Sequence, residues 1–504
     1  MTEENYELAE PKPEALIESL RAVGYTLETA VADIIDNSIA ASARNVWVNF
    51  HWDGQKSYIS VLDDGVGMDE KELSNAMRPG SQSPLETRSE KDLGRFGLGL
   101  KTASFSQARC LTVLSKKQDL PTCTRKWDLY YVIESKQWRL LKSAGESGEF
   151  CESQIKDLQS GTLVLWQNMD RLTEGTTTND AKARDHFNQQ IEEVREHLGM
   201  IFHRYLSGPS ERLSIWINGR EKQNRVKPWD PFVTAHDSTL LMPTDQIDFG
   251  SEVVAIKGYV LPHKDRFDSD EDCSRAAGPN GWNAQQGFYI YRNDRMLVSG
   301  EWLKLGRPRP WAKQEHYRLA RLSIDIPNNI DSEWSLYVKK STAKPPPQIK
   351  QKLFKLAADT REKARQVFAH RGEYGPRGTY NQEELTRPWA SSVRSGHTIY
   401  KIDREHILIR NLLKQAGKTR PEVEAALRFL EETVPVQKIW LNAAEDNADY
   451  AKPYEDLDDD IIFTDMRRVW EILRKSNIGS NEAKTTIRSM EPFNHYTKLI
   501  DQLD

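Results

Sequence analysis

The sequence predicts an α+β protein in which helices and strands mix up to about residue 345 and helices dominate beyond it. Three observations carry that prediction. Residues 14–43 hold small or apolar side chains at helical spacing, with Leu27, Val31, Ile34, Ser38 and Ala41 on one face. Residues 44–51 and 57–63 alternate and are rich in Val, Trp, Ile and Tyr, the pattern of paired strands. Past Lys344-Pro345-Pro346-Pro347, where the prolines stop the preceding pattern, the text becomes helical and charged.

Each element follows from local chemistry. Asp53-Gly54 is a turn dipeptide between the first two strands. From Met68 to Lys91 the chain is polar and contains Pro79, Gly80 and Pro84, which predicts a long loop; such loops inside a domain are usually functional. A helix is expected to start near Gly97, with strands at 109–116, 126–133 and 161–167. Ala181 to Leu206 reads as a charged helix, followed by strands at 213–218, 253–261 and 287–298. The clearest late helices are 351–369, 402–416 and 420–433, and Glu455-Asp456-Leu457-Asp458-Asp459-Asp460 reads as a solvated acidic loop. The chain's 504 residues suit roughly three domains of ~100–200 residues, with expected bounds 1–180, 181–345 and 346–504.

Composition bounds the function. Hydrophobic residues make up 38% and charged residues 29%, as expected of a soluble protein with ordinary cores. A net charge of −5 excludes a globally basic nucleic-acid coat and leaves room for local basic patches. No apolar run approaches the ~18–20 residues of a membrane span. Met1-Thr2-Glu3-Glu4-Asn5 is acidic and lacks a signal-peptide core, so a cytoplasmic location without membrane contact is expected. Cys110, Cys123, Cys151 and Cys273 are scattered without zinc spacing and read as reduced thiols.

Three short segments carry chemistry. They are Ala32-Asp33-Ile34-Ile35-Asp36-Asn37-Ser38, Asp63-Asp64-Gly65-Val66-Gly67-Met68, and Gly94-Arg95-Phe96-Gly97-Leu98-Gly99-Leu100-Lys101. Asp33 and Asn37 are four apart on a helix, so they project together. A carboxylate there could orient or deprotonate a water, and the amide oxygen of Asn37 suits magnesium. Asp63 ends an apolar strand and offers an acceptor for the amino group of adenine. Gly65 and Gly67 let the backbone pass close to a base, although Asp-Gly is also an ordinary tight turn. Gly94, Gly97 and Gly99 run into a helix whose N-terminus favours phosphate, with Lys101 as a nearby cation. Such glycines also occur in dinucleotide folds, but here they follow a polar loop and no βαβ unit surrounds them.

In this order and spacing the three segments resemble the N, G1 and G2 boxes of the GHKL ATPases (gyrase, the ninety-kilodalton heat-shock chaperone, histidine kinases and MutL). The resemblance covers roughly residues 15–345 and implies a Bergerat-type α/β sandwich that binds ATP and magnesium. It implies that Asp33 is the general base, that Asn37 binds the metal and that Asp63 holds adenine beside Gly65, Gly67 and Met68. Gly94, Arg95, Phe96, Gly97, Leu98, Gly99 and Lys101 would surround the phosphates, with residues 77–96 as a lid. Gly161-Thr162, opening an apolar strand, is similar to the late motif that supports the pocket floor, which brings Thr162 into the site. One residue departs from the pattern: most relatives have Glu where this chain has Asp33. A side chain shorter by one methylene predicts slow turnover, because misplacement by ~1 Å can cost on the order of a hundredfold.

Gly287 to Leu297 resembles a strand pair of the transducer domain, a left-handed βαβ module like one in a small-ribosomal-subunit protein, and its wording is nearest to the Microrchidia (MORC) ATPases and their bacterial relatives. Trp334 to Ser341 is similar to the end of that domain, where a lysine reaches the γ-phosphate; Lys340 is the first choice and Lys339 the second. The resemblance implies an ATP-dependent homodimer that clamps DNA, within a defence or restriction-linked system of several proteins. Between Arg292 and Arg321 lie eight Lys or Arg and three acids, interleaved with Trp302, Trp311 and Tyr317. That composition suits a phosphate backbone, or equally a packed loop with solvated charges. A protein-clamping chaperone and a nucleotide-binding scaffold with little turnover are the alternatives.

Overall fold

Thr26 starts the long helix that organises the first part of the chain. Its side chain and that of Thr29 bond reciprocally to satisfy the helix N-terminus, giving α2 (Leu27–Ala40) after α1 (Pro13–Arg21). The expected single helix over 14–43 is thus two helices, broken at residues 22–26 around Gly24 with φ +74°. The computed structural model describes residues 11–22, 24–80, 99–208, 212–249, 252–327, 334, 344–369, 388–394, 397–436, 454, 457–475, 478–490, 492–493 and 496–503.

Strands β1 (Asn45–His51), β2 (Tyr58–Asp63), β3 (Cys110–Lys116), β4 (Cys123–Asp128), β5 (Gly161–Gln167) and β6 (Ser214–Ile217) make one sheet in the order β4-β3-β5-β2-β1-β6. All pairings are antiparallel except β1 with β6. One face packs under α1, α2, α4 (Gly99–Gln107) and α8 (Ala181–Ile201), around Ile34, Val61, Phe105 and Trp166. The other face buries Leu62, Leu114, Leu163 and Leu165 against Cys151 and Ile155 of α6 (Gly148–Ile155). The sheet therefore draws α8 and β6 from beyond residue 180.

Two local expectations are corrected. The stretch expected as loop from Met68 holds α3 (Glu70–Met77), because Asp69 caps the amides of Lys71 and Glu72 while Glu72 returns a bond to Asp69. The strand expected at 126–133 stops at Asp128, whose carboxylate accepts from the Tyr131 amide and starts α5 (Leu129–Ser135). Two short helices, α7 (Asp170–Thr173) and α9 (His203–Leu206), complete this part.

The second sheet has β7 (Leu240–Leu241), β8 (Asp245–Phe249), β9 (Glu252–Val260), β10 (Gly287–Arg292), β11 (Arg295–Glu301) and β12 (Ala320–Asp325). Its order is β11-β10-β12-β9-β7, with β8 also on β9 and with β10 parallel to β12. The stretch expected as strand over 287–298, and as a strand pair by its resemblance, is a hairpin: Asn293 and Asp294 take φ +47° and +63°, the left-handed pair that closes a two-residue turn. Short helices α10 (Asp270–Ala277) and α11 (Gly281–Ala284) precede it, and α12 (Pro347–Ala369) packs on β9 and β12. Tyr289, Tyr291 and Met296 join the core under the first sheet, so both layers share one interior.

The chain divides into two compact units, Met1–Gly372 and Glu373–Asp504. The second has a hairpin, β13 (Trp389–Arg394) with β14 (His397–Ile402), and helices α13 (Ile407–Gln415), α14 (Arg420–Glu432), α15 (Asp459–Lys475), α16 (Ser480–Arg488) and α17 (Thr497–Ile500). Ile462, Met466, Val469 and Leu473 of α15 pack with Ala483 and Ile487 of α16.

Candidate nucleotide site

Helix α2 presents two sides of itself to two different neighbours. Asp33 is buried at 8% exposure, and the Tyr25 hydroxyl donates to its Oδ2 at 2.8 Å. Burial and the Asp33 charge both hold the Tyr25 phenol far above its usual range. Asn37, one turn on, is exposed. Asp36 lies buried, its Oδ1 3.2 Å from Nε of Arg295 on β11.

Asp63, the last residue of β2, is buried and held from three directions. Oδ1 accepts the Gly65 amide at 2.9 Å and Oδ2 accepts the Ser38 hydroxyl at 2.8 Å. The Thr162 backbone adds a third bond. Burial raises its carboxyl from 3.8 to about 6, while those three donors pull the other way. The turn after it admits no side chain at two places. A Cβ on Gly65 would sit 2.8 Å from Ala41 Cβ, and one on Gly67, at φ +65°, would sit 2.0 Å from the Lys116 carbonyl oxygen.

The floor is tied to the strands beneath. The Met68 amide donates to Ser115 Oγ at 2.8 Å, and Ser115 Oγ lies 2.9 Å from Thr162 Oγ1. Thus Asp63 at the end of β2, Met68 in the turn after it, Ser115 on β3 and Thr162 on β5 meet. The third segment reaches the first as well: the nearest atom to a Cβ built on Gly99 is Asp33 Oδ2, at 3.8 Å. Lys101 is buried, and its amine donates to the Ala76 carbonyl at 2.9 Å, near the C-terminal end of α3 where carbonyls favour a cation. Burial lowers that amine to about 8. Gly94, Arg95, Phe96, Gly97 and Leu98, the lid from residue 81 onward, and Lys339 and Lys340 lie outside the described residues.

Sequence reasoning missed Tyr25 and Ser115; it counted Arg295 only within the basic surface segment, and it read Ser38 as part of a helix face and of the first segment without a role of its own. None of these contacts leaves a periodic signal, because each joins separate elements. The Asp69…Glu72 capping pair was visible in the text and could have placed α3.

The basic segment 292–321 divides. Arg292, Arg295 and Arg321 are buried, and Trp302, Trp311 and Tyr317 surround the guanidinium of Arg361 at 4.7, 4.2 and 3.9 Å from their ring centres. Lys304, Arg307, Arg309 and Lys313 are exposed.

Residues 25–162 match the family model described as histidine kinase-, DNA gyrase B-, and HSP90-like ATPase. The matched stretch begins at Tyr25 and ends at Thr162, and so spans the contacts among Tyr25, Asp33, Ser38, Asp63, Met68, Ser115 and Thr162. The chain is 30% identical over 94 residues to ATPase morc-1 of Caenorhabditis elegans, covering 19% of this chain and 11% of that protein. It is 31% identical over 97 residues to ATPase MORC2B of Mus musculus and 29% identical over 97 residues to ATPase MORC2 of Homo sapiens, covering 19% of this chain and 9% of each relative. These alignments span only a small part of each relative's length. No helix among the described residues is long and apolar enough to cross a membrane. Residues 25–162 are therefore a GHKL-type ATPase domain, in a chain that is similar over about a fifth of its length to the MORC ATPases.

Proposed function

We propose that this protein hydrolyses ATP slowly, and that the nucleotide state sets the dimerisation of a clamp acting on DNA. What supports the reading is that α2 touches both of the other segments, through Ser38 at Asp63 and through Asp33 at the start of α4.

The residues suggest a division of labour. Asp63 accepts a hydrogen bond from the adenine amino group, and Gly65 and Gly67 admit the base. The N-terminus of α4 attracts the phosphates. Asn37, exposed one turn past Asp33, fits a magnesium ligand, since that ion takes oxygen donors and keeps several waters. Magnesium, when bound, offsets phosphate charge. Asp33 orients a water and accepts its proton while the water oxygen bonds to the γ-phosphorus and the bond to the bridging oxygen breaks, leaving ADP and phosphate. The short reach of Asp33 keeps this step slow.

In this proposal residues 1–180 bind ATP, 181–345 form the transducer-like domain and 346–504 the helical C-terminal region. Lys340, with Lys339 second, senses the γ-phosphate and passes its presence to the second sheet. The exposed Lys304, Arg307 and Arg309 contact DNA, and the MORC likeness suggests a bacterial defence or restriction-linked setting by analogy. One observation favours a second reading, a chaperone-like protein clamp: the aromatic residues of the basic segment are already engaged around the guanidinium of Arg361. Arg307→Ala with Arg309→Ala separates the two, since a DNA clamp loses salt-sensitive DNA binding and a protein clamp does not. Solution mass tests the switch itself. A dimer with a non-hydrolysable ATP analogue and a monomer with ADP fit the proposal, and a monomer in both states contradicts it.

A further inference from the structure

Asp33 is the residue on which the proposed hydrolysis turns, and it is one methylene shorter than the glutamate that the resemblance implies at this place. Its surroundings differ from those of a solvated carboxylate. It is buried, and the Tyr25 hydroxyl meets Oδ2 at 2.8 Å from the chain just before α2. Tyr25 is itself 7% exposed and packs in the core beside Leu27 and Ala30, so its ring has little freedom. Thr102 on α4 bonds to the same hydroxyl. Thr102 also reaches the Gly99 carbonyl at 3.4 Å, and Gly99 faces Asp33 Oδ2. The hydroxyl is thus a bridge between α4, which begins at the third glycine segment, and the acid on α2.

The geometry points to Tyr25 as a positioning residue for hydrolysis: its hydroxyl fixes the carboxylate of Asp33 through Oδ2 and links that carboxylate to the phosphate-binding helix through Thr102. This rests on the ATPase reading above. Because burial and the neighbouring acids Asp33 and Asp36 disfavour ionisation of the phenol, Tyr25 stays a neutral donor and takes no proton from the water. The proton goes to Asp33, and Tyr25 holds the acceptor in place. A short base that cannot reach far gains most from being held still, because catalysis depends on orientation.

Phosphate release at saturating and limiting ATP is measured for wild type, Asp33→Ala, Tyr25→Phe and Thr102→Val, with binding of a non-hydrolysable analogue measured on the same samples. Tyr25→Phe removes only the hydroxyl. It is expected to lower kcat roughly ten- to a hundredfold, the usual worth of a bond to a charged acceptor, with KM and analogue binding unchanged. Thr102→Val is expected to lower kcat less and in the same manner, and it keeps the test valid should Tyr25→Phe not fold. In an Asp33→Glu background the longer side chain no longer depends on the same bond, so Tyr25→Phe should cost much less there. Equal kcat for wild type and both single variants overturns the role of Tyr25, as does a change in KM alone, which would make the residue part of a binding wall. Wild-type release no faster than that of Asp33→Ala overturns the ATPase reading itself, and the role of Tyr25 with it.

Discussion

Asp63 keeps its charge in a place that resists charge. Its folded value of about 6 lies above the ordinary 3.8, so the folded protein takes up the proton first as pH falls. The contribution of this group to folding is therefore most favourable in acid and is lost as pH rises from about 4 to about 6. At neutral pH the charge costs on the order of 1–3 kcal/mol. Asp63→Asn should raise the melting temperature of the nucleotide-free protein at pH 7 and abolish the further rise given by an ATP analogue; unchanged stabilisation by nucleotide would remove Asp63 from the base pocket. In the wild type, analogue binding should weaken as pH falls through about 6, because a protonated carboxyl is a poorer acceptor for the adenine amino group. Asp33 and Asp63 were legible in the sequence because one lies on a helix four before an asparagine and the other ends an apolar strand. Their holders, Tyr25 and Ser38, were not, since a hydrogen bond between Ser38 and Asp63 follows from how a helix lies on a sheet.

At the scale of elements, the turn from Asp63 to Met68 and the helix after it behave as one piece. Gly67 has φ +65° and no space for a Cβ beside Lys116. Gly67→Ala should destabilise by ~2 kcal/mol or more in denaturant unfolding and weaken analogue binding together, since both strain and a clash act at that place. Asp69→Ala removes the cap of α3 and should cost about 1 kcal/mol, with a smaller effect on binding. The paired strands 45–51 and 58–63 were readable from alternation, and their observed bounds differ from expectation by a residue. The loop expected from Met68 hid a helix because α3 is only eight residues long and mostly polar, so capping outweighs periodicity there. Pattern alone ran one strand over 287–298 because Asn293-Asp294 lacks the glycine that usually announces a turn, whereas the resemblance had read Gly287 to Leu297 as a strand pair.

Across the whole of the first unit, α2 is the shared part. One side holds Asp33, and the buried pair of Asp36 with Arg295 fastens the same helix to the second sheet. His203 Nε2 lies 2.9 Å from the Tyr291 hydroxyl, and Arg204 bonds to Asp325, so α9 joins the same two layers. Arg295→Met leaves Asp36 without that partner and should cost ~3–5 kcal/mol, whereas Arg295→Met combined with Asp36→Leu should recover most of it. Equal losses for the single and double variants in denaturant unfolding would contradict a specific pairing. The general α+β character was readable from composition and patterning, but the sharing of one core by two sheets was not, because Tyr289, Tyr291 and Met296 read locally as ordinary strand residues.

The central claim is that Asp33 makes this nucleotide site a slow ATPase. Its most direct test is phosphate release from magnesium–ATP by wild type and Asp33→Ala at equal protein concentration. Release that is slow in the wild type and falls to background in Asp33→Ala is predicted; equal rates in the two proteins would contradict the account.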